Sequence, residues 1–338
     1  MFEALSIVNP SFIEPQTVLQ VNQRSAAFKL LPKEGLKIRL STKDLFVYIK
    51  SLEMRSTLNS GQAAGDQLQG PSFISKLHST PTYLVRSEVE FNHHDVAAAG
   101  MWDVDLMNAY RRAVHQSFAQ NARDALLYGF NPASGEGLLN TSGLTSVNLP
   151  PDMSNNTTFR TYDNGQFGLF LLQQIVATQI RLFQSAEAGN KVVVLGPQRI
   201  LATAIKANIV QLVQYQRAGA GTRTTGGMVT EVMQDAGDLI SWGYDDTLIG
   251  KGSGGTDAII ILIPELEDQG MLPGPDTNEF GRLQPAFTDC TAQYADMVAP
   301  REITTPVAGG VTDILYERRI SPGWGVRPEA ITVLNVSY

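Results

Sequence analysis

The apolar and polar residues between positions 82 and 140 form three successive patterns. Over residues 82–91 the two kinds of side chain alternate, which predicts a strand with one apolar and one polar face. Between Asp103 and Tyr128 there is no proline or glycine, and apolar residues recur every three or four positions. This stripe predicts a single helix about 39 Å long at about 1.5 Å per residue. Gly129 follows where a helix end favours a left-handed residue, and a glycine-rich loop then runs to Asn140.

Beyond residue 161 the pattern changes to alternating helices and buried strands. A helix is predicted over residues 166–188, with Asp163 as its N-cap. A second helix is predicted to open with Pro197, because the first turn of a helix does not need the missing N–H of proline. Glycine-rich loops are predicted at 219–227 and 250–255. Short runs of mainly apolar or alternating residues predict strands at 191–195, 258–263, 311–319 and 332–336.

The first 81 residues do not predict a self-sufficient domain. Prolines interrupt residues 1–50, whose clearest element is an alternating run at 36–40. Residues 51–81 have low hydrophobicity and several glycine turn signals. So long a segment without an apolar pattern argues against compact packing. Both segments therefore suit extended arms that lie along something else.

Charged residues are few, at 17% of the 338 residues, and the net charge is −7. In soluble globular proteins, charged residues usually make up about a quarter of the chain. A subunit covered by its neighbours would show this shortage of charge, because interface cores are depleted of charged residues. A surface made of uncharged polar residues would show the same shortage. The negative charge argues against a protein that grips nucleic acid, but not against one that encloses it.

No segment predicts secretion or membrane insertion. The N-terminus lacks the basic and then apolar layout of a signal peptide, and the longest apolar run, 258–263, is too short for a bilayer. The single cysteine, Cys290, excludes an intramolecular disulfide. These features predict a soluble protein made in the cytoplasm.

The candidate catalytic and ligand-binding motifs each lack the partners that their chemistry requires. Residues 250–255 match the dinucleotide pattern G-x-G-x-x-G, but a strand is predicted after them where that fold needs a helix. His93 and His94 would face opposite sides of a strand, and no His-x-x-x-His pair exists for zinc. Cys290 has no histidine near it in sequence, and Ser134 is not in a G-x-S-x-G turn.

Acidic side chains cluster in two places beside turn signals, where a solvated surface patch is the simplest interpretation. The two groups are Asp245 with Asp246, and Glu265, Glu267 and Asp268. We therefore assign no catalytic, metal-binding or cofactor-binding residue, expect no cofactor, and predict that the protein is not an enzyme.

A set of basic residues has two interpretations that the sequence leaves open. They are Lys29, Lys33, Lys37, Arg39, Arg111 and Arg112. They form either ordinary solvated charge or ion pairs with a neighbouring copy, for which Glu88, Glu90 and Asp95 are the candidate acceptors.

The order of these elements resembles the major capsid proteins of tailed bacteriophages, whose fold is shared with encapsulin shells. The matching segments are the returning arm at 87–100, the helix at 103–128, the loop at 129–140, the strand–turn–helix at 191–199, and the turn at 325–331 before the last strand. The resemblance rests on their order and spacing over nearly the whole chain, since no one motif is specific.

The resemblance implies an α+β fold with four parts. They are an N-terminal arm at 1–50, an extended β-hairpin loop at 51–98, a peripheral domain at 99–160 and 286–338 with a long spine helix at 103–128, and an axial α/β domain at 161–285. Gly100 and Gly129 are candidate joints that let one chain fit rings of different size.

The implied function is structural. Copies would assemble as pentamers and hexamers into an icosahedral phage head around double-stranded DNA, without sequence-specific binding of that DNA. The implied partners are further copies of the chain and portal, scaffolding and decoration proteins, with no membrane, and the implied location is the virion. Two alternatives remain open: an encapsulin-like compartment on the same fold, and an α/β enzyme that uses the axial strands and loops.

Overall fold

A computed structural model gives the fold and describes twelve ranges of the chain. These are 25–32, 37–55, 72–101, 105–152, 154–162, 164–182, 190–206, 225–235, 237–265, 290–297, 299–307 and 310–338. The predicted N-cap Asp163, the far end of the helix predicted to 188 and the greater part of the loop predicted at 219–227 lie outside them.

Five α-helices and fourteen strands occur in this part of the chain. The helices are α1 His93–Gly100, α2 Leu106–Tyr128, α3 Asn164–Leu182, α4 Gln198–Lys206 and α5 Thr225–Asp235. The first eight strands are β1 Ile38–Arg39, β2 Phe46–Arg55, β3 Ser72–Pro81, β4 Tyr83–Asn92, β5 Thr145–Asn148, β6 Lys191–Gly196, β7 Leu239–Tyr244 and β8 Asp257–Leu262. The others are β9 Ala292–Gln293, β10 Ala295–Asp296, β11 Arg301–Val307, β12 Val311–Ile320, β13 Trp324–Gly325 and β14 Ile331–Val336.

The predicted helices and strands are confirmed, with shifted ends. The helix predicted from Asp103 begins at Leu106, because the Asp105 carboxylate accepts a hydrogen bond from Asn108 N and caps it. Pro197 lies one residue before α4, and its carbonyl accepts from Leu201 N. Residues 225–227, predicted as loop, are the first turn of α5.

A first sheet is built around β12. Strands β4 and β11 pair with its two sides in antiparallel register, and β10 pairs with its end and with β1. The spine helix α2 packs on one face. A buried cluster forms there from Phe91, Ala99, Leu106, Val114, Phe118, Ile314 and Tyr316. The two strands predicted at 82–91 and 311–319 are thus each other's partners.

A hairpin of β2 and β3 extends from this sheet. All ten residues of each strand are paired, from Phe46 opposite Pro81 to Arg55 opposite Ser72, a length of about 33 Å at about 3.3 Å per residue. Only Thr82 separates β3 from β4. The absence of an apolar pattern at 51–81 therefore did not mean absence of strand, because the backbone pairing of a hairpin needs no buried face.

Strand β4 runs directly into a short helix that the sequence pattern did not predict. His93 and His94 would face opposite sides in a strand, but they are the first two residues of α1. The cause is a capping box, in which Asn92 Oδ1 accepts from Asp95 N and Asp95 Oδ2 accepts from Asn92 N.

A second sheet has the order β5-β14-β8-β6-β7, and both of its faces are covered. Helices α3, α4 and α5 cover one face, while the 3₁₀ turn Ala26–Leu30 and the end of α2 cover the other. Strand β14 pairs with β8 along its whole length. The last strand, implied to lie in the peripheral domain, is therefore in the same sheet as the axial strands β6 and β8.

Candidate assembly surface

One face of the hairpin β2–β3 exposes large apolar side chains. Phe46 and Tyr48 are two positions apart in β2 and therefore lie on the same face of the strand, where their rings are 6.1 Å apart. The register places Leu77 of β3 on the same face, opposite the next outward position of β2. The exposed fractions are 53% for Phe46, 63% for Tyr48 and 61% for Leu77. We call these three residues the hairpin face.

Arg319 of β12 forms hydrogen bonds with residues at the base of the hairpin. The guanidinium is buried, and its Nη1 donates to Asp44 O at 3.1 Å and to Thr82 Oγ1 at 3.0 Å. Thr82 Oγ1 in turn donates to Asp44 O, and Thr82 N donates to Leu45 O. Both strands of the hairpin therefore leave the first sheet at one hydrogen-bonded point.

A second fastening joins β4 to the loop that follows the spine helix. Tyr83 Oη donates to Glu136 Oε1 at 2.6 Å, while Glu136 Oε2 accepts from Phe130 N at 3.1 Å and Asn131 N at 2.8 Å. The Tyr83 and Phe130 rings are 4.4 Å apart. The hydrogen bond to Glu136, with burial and the Glu136 charge adding to it, raises the pKa of Tyr83 to about 12.

The loop itself is closely packed, and glycine is required in it. Gly129 has φ +69°, and a Cβ there would lie 2.5 Å from Glu136 Cβ. Gly137 has φ +91°, and a Cβ there would overlap the backbone of Tyr128. Asn140 Nδ2 donates to Tyr128 O at 3.0 Å and Glu136 O at 2.8 Å. The prediction that Gly129 has a positive φ at the end of the spine helix is confirmed, but its ψ of −177° lies outside the left-handed helical region.

Three of the six basic residues singled out in the sequence are used within the chain. Arg111 donates through Nε and Nη2 to the two oxygens of Glu302, at 3.3 and 3.1 Å. Lys37 Nζ lies 3.3 Å from Asp296 Oδ2 and 4.5 Å from the centre of the Phe28 ring.

Lys29 Nζ donates to Trp242 O at 2.9 Å. Lys33 is outside the described residues. In the described part of the chain, Arg39 and Arg112 are exposed and have no acidic partner, so pairing with a neighbouring copy stays a prediction for these two.

The three candidate acidic acceptors differ in whether they already have a hydrogen-bond partner within the chain and in what surrounds them. Asp95 caps α1, as described above. Glu88 and Glu90 are exposed on β4, and Asp313 of β12 lies directly opposite Glu90. Coulombic repulsion by Asp313 and a hydrogen bond that protonated Glu88 donates to Asp313, with smaller contributions from burial and Glu90, raise the pKa of Glu88. The outer face of the first sheet therefore carries three close carboxyl groups.

The chemical motifs named from the sequence are not brought together. His93 and His94 are exposed, with ring centres 3.9 Å apart. Cys290 is buried and forms a β-bridge with Glu265. Ser134 Oγ donates to Asn131 O within a turn. Among the described residues, no group of three or more His, Cys, Asp or Glu side chains is placed to hold a metal ion.

The surface interpretation of Asp245 was wrong. Asp245 is only 6% exposed, and its carboxylate accepts from Ser25 Oγ at 3.1 Å and Thr247 Oγ1 at 2.7 Å. It joins the N-terminal 3₁₀ turn to the turn after β7, and Asp246 accepts from Gln198 N. Glu267 and Asp268 lie outside the described residues.

Residues 250–255 form a turn that runs directly into β8, as predicted, so this segment lacks the helix of a dinucleotide site.

A cleft of about 290 Å³ lies beside this turn, lined in part by Tyr128, Lys251 and Asn335. The Asn335 amide is used internally: Nδ2 donates to Ser146 and Asn148, and Oδ1 accepts from Ser253 N. Lys251 lies 5.1 Å from the Tyr128 ring centre, and burial is the main cause that raises the pKa of Tyr128 to about 12. Among the described residues that line the cleft there is no histidine, cysteine, aspartate or glutamate. Among the helices that the structure describes, none has the length and apolar character of a membrane span.

No protein-family model matches the chain, and no curated protein matches it. Solved structures match it over nearly its whole length. The capsid of Myoviridae phage XM1 has a TM-score of 0.67 at 11% identity, covering 97% of both chains. The capsid of an empty GTA particle, computed with C5 symmetry, has 0.58 at 12%, covering 96% of both. The capsid of cyanophage P-SCSP1u has 0.57 at 12%, covering 95% of this chain and 91% of the other. The chain therefore has the α+β fold of phage capsid chains, and the predicted fold class is confirmed.

Proposed function

We propose that the chain is the major capsid protein of a tailed phage, which assembles through pentamers and hexamers into an icosahedral head around double-stranded DNA. The observation that carries the proposal is the hairpin face, on a fold shared end to end with phage capsid chains. This function requires many copies of the chain and no catalytic site.

The hairpin face calls for a partner because a lone copy leaves it in water. A two-stranded hairpin is marginally stable by itself. Complete burial of an apolar side chain of this size contributes about 1.5–3 kcal/mol, so covering the exposed half or more of Phe46, Tyr48 and Leu77 favours association. Because one contact per copy is repeated around a closed shell, modest pairwise energies accumulate.

The four-part division implied by the resemblance is proposed with it. The arm at 1–50, the extended loop at 51–98, the peripheral domain at 99–160 and 286–338 and the axial domain at 161–285 suit a subunit that reaches over its neighbours. The pairing that starts at Phe46 favours moving the boundary at 50, and the pairing of β14 with β8 favours assigning residues 331–336 to the axial domain.

The remaining partners follow from this role. A net charge of −7 suits a container that encloses a polyanion without gripping it. We expect portal, scaffolding and decoration proteins as further partners, and the virion as the location. The similar solved structures are capsids of phages and of a GTA particle, which favours this interpretation over an encapsulin-like compartment or an enzyme.

The test is the assembly state of the purified wild-type chain. Negative-stain microscopy and native mass measurement should show closed particles, and particles from infected cells should contain double-stranded DNA. Particles filled with a protein cargo instead would favour the encapsulin-like alternative. An ordered monomer that never forms closed particles, alone or with a scaffolding protein, would contradict the proposal.

A further inference from the structure

Helix α3 is apolar on two opposite sides. Its inner side packs on the second sheet through Phe167, Phe170, Leu171 and Ile175, all of which are buried. Its outer side exposes Leu169 at 52%, Val176 at 41% and Ile180 at 67%. We call these three residues the outer stripe.

The spacing of the outer stripe is that of a helix-packing seam. With exposed Gln173 included, the positions 169, 173, 176 and 180 are separated by four, three and four residues. At about 100° per residue they fall within a sector of roughly 60°, opposite the buried side. Alternating steps of three and four are the spacing by which one helix packs against another element.

The outer side of α3 also lacks charge. The helix contains no acidic residue, and its one basic residue, Arg181, donates to Thr178 and to Thr332 of β14. Helix α2 is different, because its exposed positions include Arg112 and His115. A helix that is apolar on both sides is typical of a buried helix.

The apolar surface continues from α3 onto β7. Gln179 Nε2 donates to Asp238 Oδ2 at 2.7 Å, and the next residue, Leu239, is 59% exposed. Strand β7 pairs only with β6 among the described strands, so it is an edge of the second sheet. Hydrophobic edge strands are commonly covered by another element.

We propose that a second copy of the chain covers the outer stripe and Leu239 within each ring of the shell. This inference rests on the proposed function and names one of its contact surfaces. The exposed apolar area is on the order of 400 Å², about half of what each partner contributes to an ordinary stable interface. The patch is too small to hold a dimer by itself. In the shell, the hairpin also holds neighbouring copies together, so the patch meets its partner surface at a high effective concentration.

The lack of charge identifies the partner as a permanent one. The cores of protein interfaces are depleted of charge, and obligate ones are the most apolar. A closed ring of identical copies uses two different patches of each subunit, so the stripe meets another surface of the next copy rather than another stripe.

The test uses a photo-crosslinking amino acid in place of Ile180 or Val176. Illumination of assembled shells should join two chains, whereas the same variants as free subunits should remain single chains. Crosslinks that stay within one chain, or that also form in free subunits, would overturn the inference.

A charge substitution gives a second test. Ile180→Glu should leave the melting temperature of the free subunit unchanged, because that side chain is already exposed, and should reduce the yield of closed particles about tenfold. Thr203→Glu, which adds the same charge at an exposed position of α4, is the control. If Ile180→Glu assembles like the wild type, this inference fails and the proposed function stands; if the wild type itself forms no closed particles, the proposed function fails and this inference with it.

Discussion

The hydroxyl of Tyr83, the first residue of β4, lies 2.6 Å from the carboxylate of Glu136 in the loop after the spine helix. This bond joins the strand that continues the hairpin to the end of the longest described helix. Because Glu136 also accepts from two backbone N–H groups, it fixes the loop and the strand together.

Replacing Tyr83 by Phe should therefore lower the free energy of unfolding of the free subunit by about 1–2 kcal/mol, since a hydrogen bond to a charged group is lost while two others remain. Urea titration followed by fluorescence measures it. Tyr48→Phe, which removes an exposed hydroxyl, should change the value by less than about 0.5 kcal/mol. Equal losses in the two variants would contradict the role of Glu136.

The stability of the subunit should fall as the pH rises from 10 to 12. The pKa values of Tyr83 and Tyr128 are raised from 10.0 to about 12 in the folded chain. In this window the unfolded phenols lose their protons while the folded ones keep them, so alkali favours unfolding, and the stabilisation is complete only below pH 10. Unfolding midpoints at pH 9 and 11 measure the fall, and the double variant Tyr83→Phe/Tyr128→Phe should reduce it. If the double variant loses as much stability between pH 9 and pH 11 as the wild type, other titratable groups cause the loss.

Gly129 and Gly100 are the two proposed joints, and the structure predicts different tolerance. Gly129→Ala should destabilise the subunit by about 1–3 kcal/mol, because its φ of +69° disfavours a side chain and the new Cβ would meet Glu136. At Gly100 an added Cβ meets nothing within 4 Å. Gly100→Ala is therefore the matched control, with an expected change below about 1 kcal/mol. The larger Gly129→Val should in addition prevent regular shells, and normal particles from it would contradict a required joint.

The hairpin face should matter for assembly and not for folding. Phe46→Glu and Tyr48→Glu add charge where more than half of each side chain already meets water, so the melting temperature of the free subunit should stay within about 2 °C. Closed particles should become at least about tenfold fewer by size-exclusion chromatography and microscopy. Gln120→Glu, at an exposed position of α2, is the control. Wild-type assembly by both hairpin variants would remove the main support for the proposed contact.

The three carboxyl groups on the outer sheet face predict a gain of stability on removal of one charge. Asp313 raises the pKa of Glu88, which means that the ionised pair destabilises the fold at neutral pH and less so in acid. Asp313→Asn should therefore raise the melting temperature at pH 7, with a smaller gain near pH 4. Asp152→Asn is the contrasting variant: backbone hydrogen bonds from Asn156 lower the pKa of Asp152, so its loss should destabilise. A loss of stability in Asp313→Asn at pH 7 would contradict the repulsion.

The sequence predicted the elements whose periodicity comes from their own burial. The alternation at 82–91 and the stripe of α2 are present in the structure because β4 and α2 bury one face against each other. The hairpin strands β2 and β3 have no such periodicity, since they pair through the backbone and leave Phe46, Tyr48 and Leu77 exposed, so the β-hairpin expected at 51–98 rested on the resemblance alone. Contacts between distant residues could not be predicted either: Arg111 meets Glu302 across 191 positions, and Asp245 is buried by Ser25 across 220. No local pattern encodes such pairs.

Thr82 is the single residue between the hairpin and the first sheet, and this continuity has a mechanical consequence. A pull on the hairpin by a neighbouring copy travels along one backbone into β4, which is paired with β12 over ten residues. Antiparallel hydrogen bonds lie perpendicular to their strands, so that force loads all ten pairs in shear at once instead of opening them one by one. In the proposed shell, outward pressure from packed contents would thus be spread across β12, the most extensively paired of the described strands.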